Sequence, residues 1–214
     1  MTIDILLDEA KEFAQVESVY PEPTLYGVTD GKAIGTYVEQ KFKAYLANKY
    51  TFVKGNSASG IDLPELGIDI KVTSVTQPQS SCPFKSARQK IFGLGYCLLV
   101  FVYEKTDDSQ TRTATLNILH TIFIEKDRTA DYQITTGLQQ ILANQGNADD
   151  IVSFMKDRYL PIDDIEAYTI ANDLLNGSLL IQGYLTISNA LQWRLQYSRV
   201  ITQAGTVSGI IRVR

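Results

Sequence analysis

Hydrophobic positions in the first fifty residues recur at intervals of three or four, which is the period of an amphipathic helix. Residues 3–17 fit one such helix. After two prolines that interrupt the pattern, a second helix is predicted from about Lys32 to Tyr50, with Asp30 as its N-cap. Its apolar stripe consists of Ile34, Val38, Phe42, Tyr45 and Leu46.

The period changes to two beyond residue 50, and such alternation is typical of half-buried strands. A short strand is predicted at 51–54. Two more, at 61–63 and 68–74, are joined by Pro64-Glu65-Leu66-Gly67, a segment suited to a tight turn. We therefore expect these two strands to form a hairpin.

The remainder of the chain alternates between further helices and strands. The apolar run from Cys97 to Tyr103 has the length and composition of a central buried strand. Other elements are predicted as a helix at 84–93, a strand at 113–124, helices near 129–144, 148–158 and 162–175, and several strands within 178–214. This order predicts a single mixed α/β domain over residues 1–214, with a core at about 30–126 and an elaborated C-terminal half at about 127–214.

Composition places the chain among ordinary globular proteins, with 44% hydrophobic and 21% charged residues. No run approaches the roughly 20 apolar residues of a membrane helix, and the acidic N-terminus lacks the features of a signal peptide. We therefore expect a cytoplasmic protein. The two cysteines and the single histidine have no ligand-spaced partners, which argues against a structural zinc site.

The distribution of charge bears on nucleic acid binding more than the net charge of −4 does. Two long segments, 70–103 and 174–214, contain basic residues and no acid. Because a phosphate backbone responds to the local electrostatic field, these segments are candidates for surfaces that face DNA. The alternative is that their Lys and Arg side chains merely solvate an ordinary surface.

Residue types suited to catalysis are concentrated in the predicted strand at 68–74 and just before it. Successive side chains in a strand point to opposite faces, so Asp69 and Lys71 share one face. The hairpin would bring Asp62 close to Asp69. Two adjacent carboxylates repel each other unless a cation neutralises them, and Mg²⁺ prefers such oxygen ligands. Lys71 would then orient a nucleophilic water or stabilise charge on a phosphate. The alternative is a solvated hairpin with an ordinary Asp–Lys pair.

Glu39 lies at the edge of the apolar stripe of the second helix, in line with Phe42 and Leu46. An acid beside the inward-facing side of a helix requires a partner, and a metal site is one candidate. The alternative is an ordinary helix-surface pair with Lys43, four residues along the chain.

Glu39 on a helix, Gly60-Ile61-Asp62 and Ile68-Asp69-Ile70-Lys71 together resemble the PD-(D/E)xK nuclease superfamily. In that group a helix supplies a Glu, one hairpin strand supplies the first Asp, and the next strand supplies the (D/E)xK pair. The residue before the first Asp is Ile61 here, where the usual residue is Pro. The resemblance covers roughly residues 32–105 and implies a restriction-endonuclease-like α/β core, in which helices flank a mixed central β-sheet.

Within the superfamily, the size of the chain and its long C-terminal region are similar to those of type II restriction endonucleases. The resemblance implies Mg²⁺-dependent hydrolysis of double-stranded DNA, with Mn²⁺ as a possible substitute, by a homodimer of a restriction-modification system. The catalytic residues would be Asp62, Asp69, Lys71 and Glu39. The metal ion would be held at Asp62, Asp69, Ile70 and Glu39.

Contacts with DNA are expected from the polar segment 75–86, from the basic helix that overlaps it and from the C-terminal basic stretch. Gln and Arg side chains suit base edges, whereas Lys and Ser suit phosphates. The main candidates are Gln77, Gln79, Lys85, Arg88, Lys90, Arg194 and Arg199, and further candidates are the loop 56–60, Gln192 and Trp193. For each of them, an ordinary structural or surface role is the alternative.

Two other functions remain open at this level. One is a structure-specific repair or recombination nuclease of the same superfamily, and the other is a DNA-binding module without catalysis.

Overall fold

A computed structural model describes residues 1–53, 55, 60–83, 85–188 and 193–214. The helices are α1 (Ile3–Glu17), α2 (Gly31–Ala47), α3 (Arg88–Phe92), α4 (Tyr132–Ala143), α5 (Ala148–Asp157), α6 (Asp164–Leu175) and α7 (Ser198–Gln203). The strands are β1 (Pro21–Glu22), β2 (Ile68–Ser74), β3 (Gln79–Cys82), β4 (Cys97–Asp108), β5 (Thr113–Ile124), β6 (Thr186–Ile187), β7 (Trp193–Gln196) and β8 (Ile210–Arg212).

The central sheet has the strand order β1-β5-β4-β2, and β8 also pairs with β5. Strand β2 runs parallel to β4, whereas β5 runs antiparallel to β4, so the sheet is mixed. Strands β3, β7 and β6 form a second, smaller antiparallel sheet. The predicted α/β fold with a mixed central sheet flanked by helices is confirmed.

Strand β4 is covered on both faces, which explains its continuous apolar sequence. Leu99 and Phe101 face α1 and α2, where Phe13 and Phe42 complete an aromatic cluster with ring centroids 5.0–5.8 Å apart. Leu98, Val100 and Val102 face the opposite side and pack against elements of the C-terminal half. A third cluster of buried side chains joins α3 to helices α4, α5 and α6.

Helix α2 begins as predicted, because the Asp30 side chain accepts a hydrogen bond from the Lys32 amide at 2.9 Å. The helix ends at Ala47, three residues before its predicted end at Tyr50. The Tyr50 hydroxyl instead donates to Glu9 of α1 at 2.7 Å, and the Tyr45 hydroxyl donates to the same carboxylate at 2.6 Å. This buried acid therefore fixes the position of α2 against α1.

The structure corrects two predictions of local structure and adds one strand that was not predicted. Residues 61–63 do not form a strand, and the expected hairpin is reduced to one antiparallel bridge between Leu63 and Ile68. No strand is assigned within the described residues 51–53. No strand was predicted in the polar segment 75–86, but it contains strand β3, because the partner strand β7 lies far along the chain and a local pattern cannot indicate that pairing.

The central sheet draws on more of the chain than the expected core at 30–126. Helix α1 packs on its face, and β8 adds a strand at its edge. In the described part of the chain, no helix is both long and apolar enough to cross a membrane.

Candidate active site

Asp62 is held against β2, the edge strand of the central sheet, by the chain reversal at residues 63–68. The amide of Ile68 donates to the Leu63 carbonyl at 3.2 Å, and Gly67 adopts the positive φ of 63° that this turn requires. Asp62 Oδ2 then accepts a hydrogen bond from the Ile70 amide at 2.8 Å. A single bridge thus does what the predicted hairpin was expected to do, because it places Asp62 beside the Asp69–Lys71 segment.

Asp69 and Lys71 lie on the same face of β2, as the alternation predicts. Lys71 Nζ and Asp69 Oδ2 are 2.8 Å apart, and Asp69 is only 5% exposed. The Ile68 and Ile70 side chains point to the opposite face, into the cluster with α1 and α2. Strand alternation therefore separates the core residues of β2 from its ionisable residues.

Glu39 reaches this group through Lys43. Lys43 Nζ lies 2.6 Å from Glu39 Oε1 and also forms an ion pair with Asp62 Oδ1. Glu39 thus forms the expected pair with Lys43, and Lys43 links it to the Asp62 side chain, while its role at a metal ion stays a prediction. The i, i+4 spacing of Glu39 and Lys43 predicts only a pair on the helix surface, and no other feature of the sequence indicates the contact between Lys43 and Asp62.

The crowding of acids changes their pKa values. The pKa of Asp69 is raised to about 7, mainly by burial and also by the neighbouring Asp62, although Lys71 opposes the increase. Burial also raises the pKa of Asp62, but hydrogen bonds from Asp69, Lys43 and the Ile70 amide outweigh it, so the net pKa is lowered. Burial and the charge of Asp62 raise the pKa of Glu39 despite the opposing effect of Lys43. Burial and the proximity of Asp62 therefore both oppose ionisation of Asp69 and Glu39.

This donor chemistry fits a hard divalent cation. Asp62 and Asp69 supply adjacent carboxylate oxygens, and one of them is pushed towards its protonated form at neutral pH. A bound cation would stabilise the ionised form of both carboxylates and so relieve the repulsion between them. Among the described residues, no three His, Cys, Asp or Glu side chains are grouped closely enough to hold a metal ion alone. Further ligands would have to come from the backbone, from water or from a substrate phosphate.

An open cleft of about 860 Å³ runs alongside β2 and the first half of α2. Glu39, Ile70 and Lys71 line it, as do three of the expected DNA contacts, Gln77, Gln79 and Arg194. Sequence reasoning missed the lining residues Lys32, Gly35, Thr36, Ser80, Ser81 and Lys105. Among its charged lining residues, basic side chains outnumber the single acid Glu39, so the local field favours an anionic ligand despite the acidic net charge of the protein.

The other expected DNA contacts do not line this cleft. Arg88 forms an ion pair with Asp173 at 2.8 Å. Lys90 is 2% exposed, and its Nζ lies 5.7 Å from the centroid of the Trp193 ring, which is itself buried. The guanidinium group of Arg199 stacks over Tyr132. Lys85 is exposed but is not a lining residue, and Gln192 and residues 56–59 lie outside the described residues.

Comparison with known proteins identifies the family of the chain. The family model of the type II restriction enzyme NspV matches residues 1–212. The chain is also 64% identical, over 213 residues, to the type II restriction enzyme NspV of Nostoc sp., an alignment that covers 100% of this chain and 96% of that protein. No solved structure matches the chain. The expected likeness to type II restriction endonucleases is confirmed, and the chain belongs to the NspV family of type II restriction enzymes.

Proposed function

We propose that this protein is a Mg²⁺-dependent endonuclease that hydrolyses double-stranded DNA at a specific sequence, with Asp62, Asp69, Lys71 and Glu39 as its active site. One observation carries the proposal. The chain reversal at residues 63–68 brings Asp62 to the Asp69–Lys71 pair, and Lys71 lines a cleft whose charged lining residues are mostly basic. Membership of a restriction enzyme family supports the same substrate.

Asp62, Asp69 and the strand segment at Ile70 are the groups that would hold the metal ion. Glu39 forms an ion pair with Lys43 and would thereby adjust the charge around the metal ion. When bound, Mg²⁺ would act as a Lewis acid on the scissile phosphate and lower the pKa of a bound water. Lys71, which is held by Asp69, can orient the attacking water or stabilise the negative charge that develops on the phosphate. Hydrolysis of this kind would leave 5′-phosphate and 3′-hydroxyl ends.

The wall of the cleft formed by α2 suits a DNA backbone. Lys32 and Thr36 offer donors from the first two turns of α2, and Lys105 of β4 lines the same cleft while it forms an ion pair with Asp107. Phosphate oxygens are bound by such side chains and by the positive end of a helix dipole. Gln77, Gln79 and Arg194 line the same cleft and are the expected contacts to the rest of the duplex.

A direct test is incubation of the protein with phage DNA in Mg²⁺, in Mn²⁺ and in EDTA. We expect discrete fragments with either metal and intact DNA in EDTA. A smear would favour a structure-specific or nonspecific nuclease. Intact DNA under all three conditions, from a folded protein that still binds DNA, would favour a non-catalytic binding module.

Cutting both strands of a symmetric site calls for two active sites, and a homodimer supplies them most simply. We expect sedimentation velocity to give about twice the mass of the chain in the presence of a DNA duplex that contains the site. The protein would act in the cytoplasm, as part of a restriction-modification system whose methyltransferase protects the host site.

A further inference from the structure

Strands β3 and β7 are two neighbouring strands of the smaller, three-stranded sheet, and together they are called the ribbon here; β3 directly follows the strand that carries Asp69 and Lys71. Gln79 pairs with Gln196, and Ser81 pairs with Arg194. The ribbon is fastened to β2, because Thr73 Oγ1 accepts a hydrogen bond from the Gln79 amide at 2.9 Å. Its position is therefore fixed relative to the proposed active site.

The two faces of this ribbon differ in chemistry. One face carries Cys82, Trp193 and Leu195, each at most 1% exposed, and it packs into the cluster that covers the central sheet. The opposite face carries only hydrogen-bonding side chains, namely Gln79, Ser81, Arg194 and Gln196. Three of these four line the cleft, and Gln196 follows Arg194 on the same face of β7.

Arg194 differs from the other arginines in its surroundings. Within the described residues, its guanidinium group has no ion pair, hydrogen bond or ring contact. Each of the other arginines has such a contact, namely Arg88, Arg112, Arg128, Arg158, Arg199, Arg212 and Arg214. The five donors of Arg194 are thus available to a ligand in the cleft.

We propose that this polar face of the β3–β7 ribbon, which consists of Gln79, Ser81, Arg194 and Gln196, reads base edges in the major groove of the DNA that the cleft holds. A β-ribbon fits the major groove, where Arg pairs with guanine and Gln pairs with adenine. The apolar underside gives these side chains a rigid base, and direct readout requires such a base. The proposal rests on the proposed nuclease function and adds that the site includes a G·C pair read by Arg194.

The experiment is cleavage of a randomised DNA duplex library by the wild-type protein and by Arg194→Ala, Gln79→Ala and Gln196→Ala, with sequencing of the cut products. Each variant should lose discrimination about 10- to 100-fold at one or two base pairs and keep it elsewhere, and Arg194→Ala should lose it at a G·C pair. The matched control is Arg158→Ala, an exposed arginine outside the cleft, whose sequence profile should equal that of the wild-type protein.

A second measurement separates base readout from phosphate binding. If Arg194 contacts a phosphate, Arg194→Ala should weaken binding to all duplexes equally and reduce the salt slope of binding by about one. That result, with an unchanged sequence profile in all three variants, would overturn the proposal while the nuclease function stands. Failure of the wild-type protein to cut discrete sites would instead overturn the nuclease function and the reading face together.

Discussion

At the scale of single residues, the site is organised by a lysine whose role the sequence pattern did not indicate. Lys43 is shared between Glu39 and Asp62, so it neutralises oxygens that the proposed metal ion would also attract. Strand alternation was sufficient to predict that Asp69 and Lys71 share a face. It could not predict a contact between α2 and residue 62, because that contact depends on how the helix packs against the sheet.

Replacement of Lys43 by Met should have opposite effects on stability and metal binding. Loss of the Lys43 ammonium group leaves the negative charge of Glu39 and Asp62 less neutralised. In the absence of metal, Lys43→Met should therefore lower the free energy of unfolding by about 1–3 kcal/mol. The same loss should tighten Mg²⁺ binding, as measured by isothermal titration calorimetry. The control is Lys156→Met, a surface lysine paired with Asp164. Weaker Mg²⁺ binding by Lys43→Met than by the control would contradict this role.

Glu39 is linked to Asp62 by the shared Lys43, so we expect its replacement to be less damaging than loss of a strand acid. We expect Glu39→Ala to reduce the cleavage rate or the Mg²⁺ affinity without abolishing cleavage. Rates measured across a range of Mg²⁺ concentrations distinguish these two effects. A complete loss of cleavage at saturating Mg²⁺ would show that Glu39 is indispensable.

Glu9 should give the protein a measurable pH dependence of stability. Burial raises its pKa, but hydrogen bonds from Lys49, Tyr45 and Tyr50 outweigh this effect and lower the pKa from 4.5 to about 2. Its ionised form therefore stabilises the fold above pH 4.5, and this contribution is lost as the pH falls towards 2. Urea unfolding of Glu9→Gln should show lower stability at pH 7 and a flatter pH profile below 4.5. Glu12→Gln, at a more exposed position beside Lys49, should keep the wild-type profile.

At the scale of elements, the sequence predicted the long helices and strands and the presence of strands within 178–214, but it missed the short strands β1 and β3. Strand β5 begins and ends where the pattern placed it, and β4 extends five residues beyond its apolar run. Strand β3 was missed because its residues pair with β7, more than a hundred positions away. The prediction of a full hairpin before β2 was wrong. Alternation over only three residues does not distinguish a strand from a turn that is closed by a single bridge, here between Leu63 and Ile68.

The turn at Gly67 should matter for catalysis more than for stability. Gly67→Ala meets no atom within 4 Å, so its cost is the strain of a positive φ, about 1 kcal/mol. That strain should shift Asp62 and slow cleavage at least several-fold. Gly177→Ala offers a matched control, with the same open surroundings and positive φ beyond α6. Equal cleavage rates for the two variants, at equal loss of stability, would argue against the turn as the positioning device.

At the scale of the whole molecule, the two faces of the central sheet differ in how far their packing could be predicted from the sequence. The face covered by α1 and α2 is apolar and could be read from periodicity in the sequence. The opposite face is covered by elements from the last third of the chain, and no local pattern predicts that packing. The superfamily resemblance pointed to the segment that we propose as catalytic. The ribbon beside it depends on the pairing of residues 79–82 with 193–196, which only the structure shows.

The central claim is that Asp62, Asp69 and Lys71 form a hydrolytic site rather than a structural ion-pair cluster. The most direct measurement is single-turnover cleavage of a DNA duplex by Asp69→Ala and Lys71→Ala in Mg²⁺, alongside circular dichroism and DNA binding, with Lys156→Ala as control. We predict that both variants fold, bind DNA and cleave at least about 100-fold more slowly than wild type. Cleavage at the wild-type rate by either variant would contradict the claim.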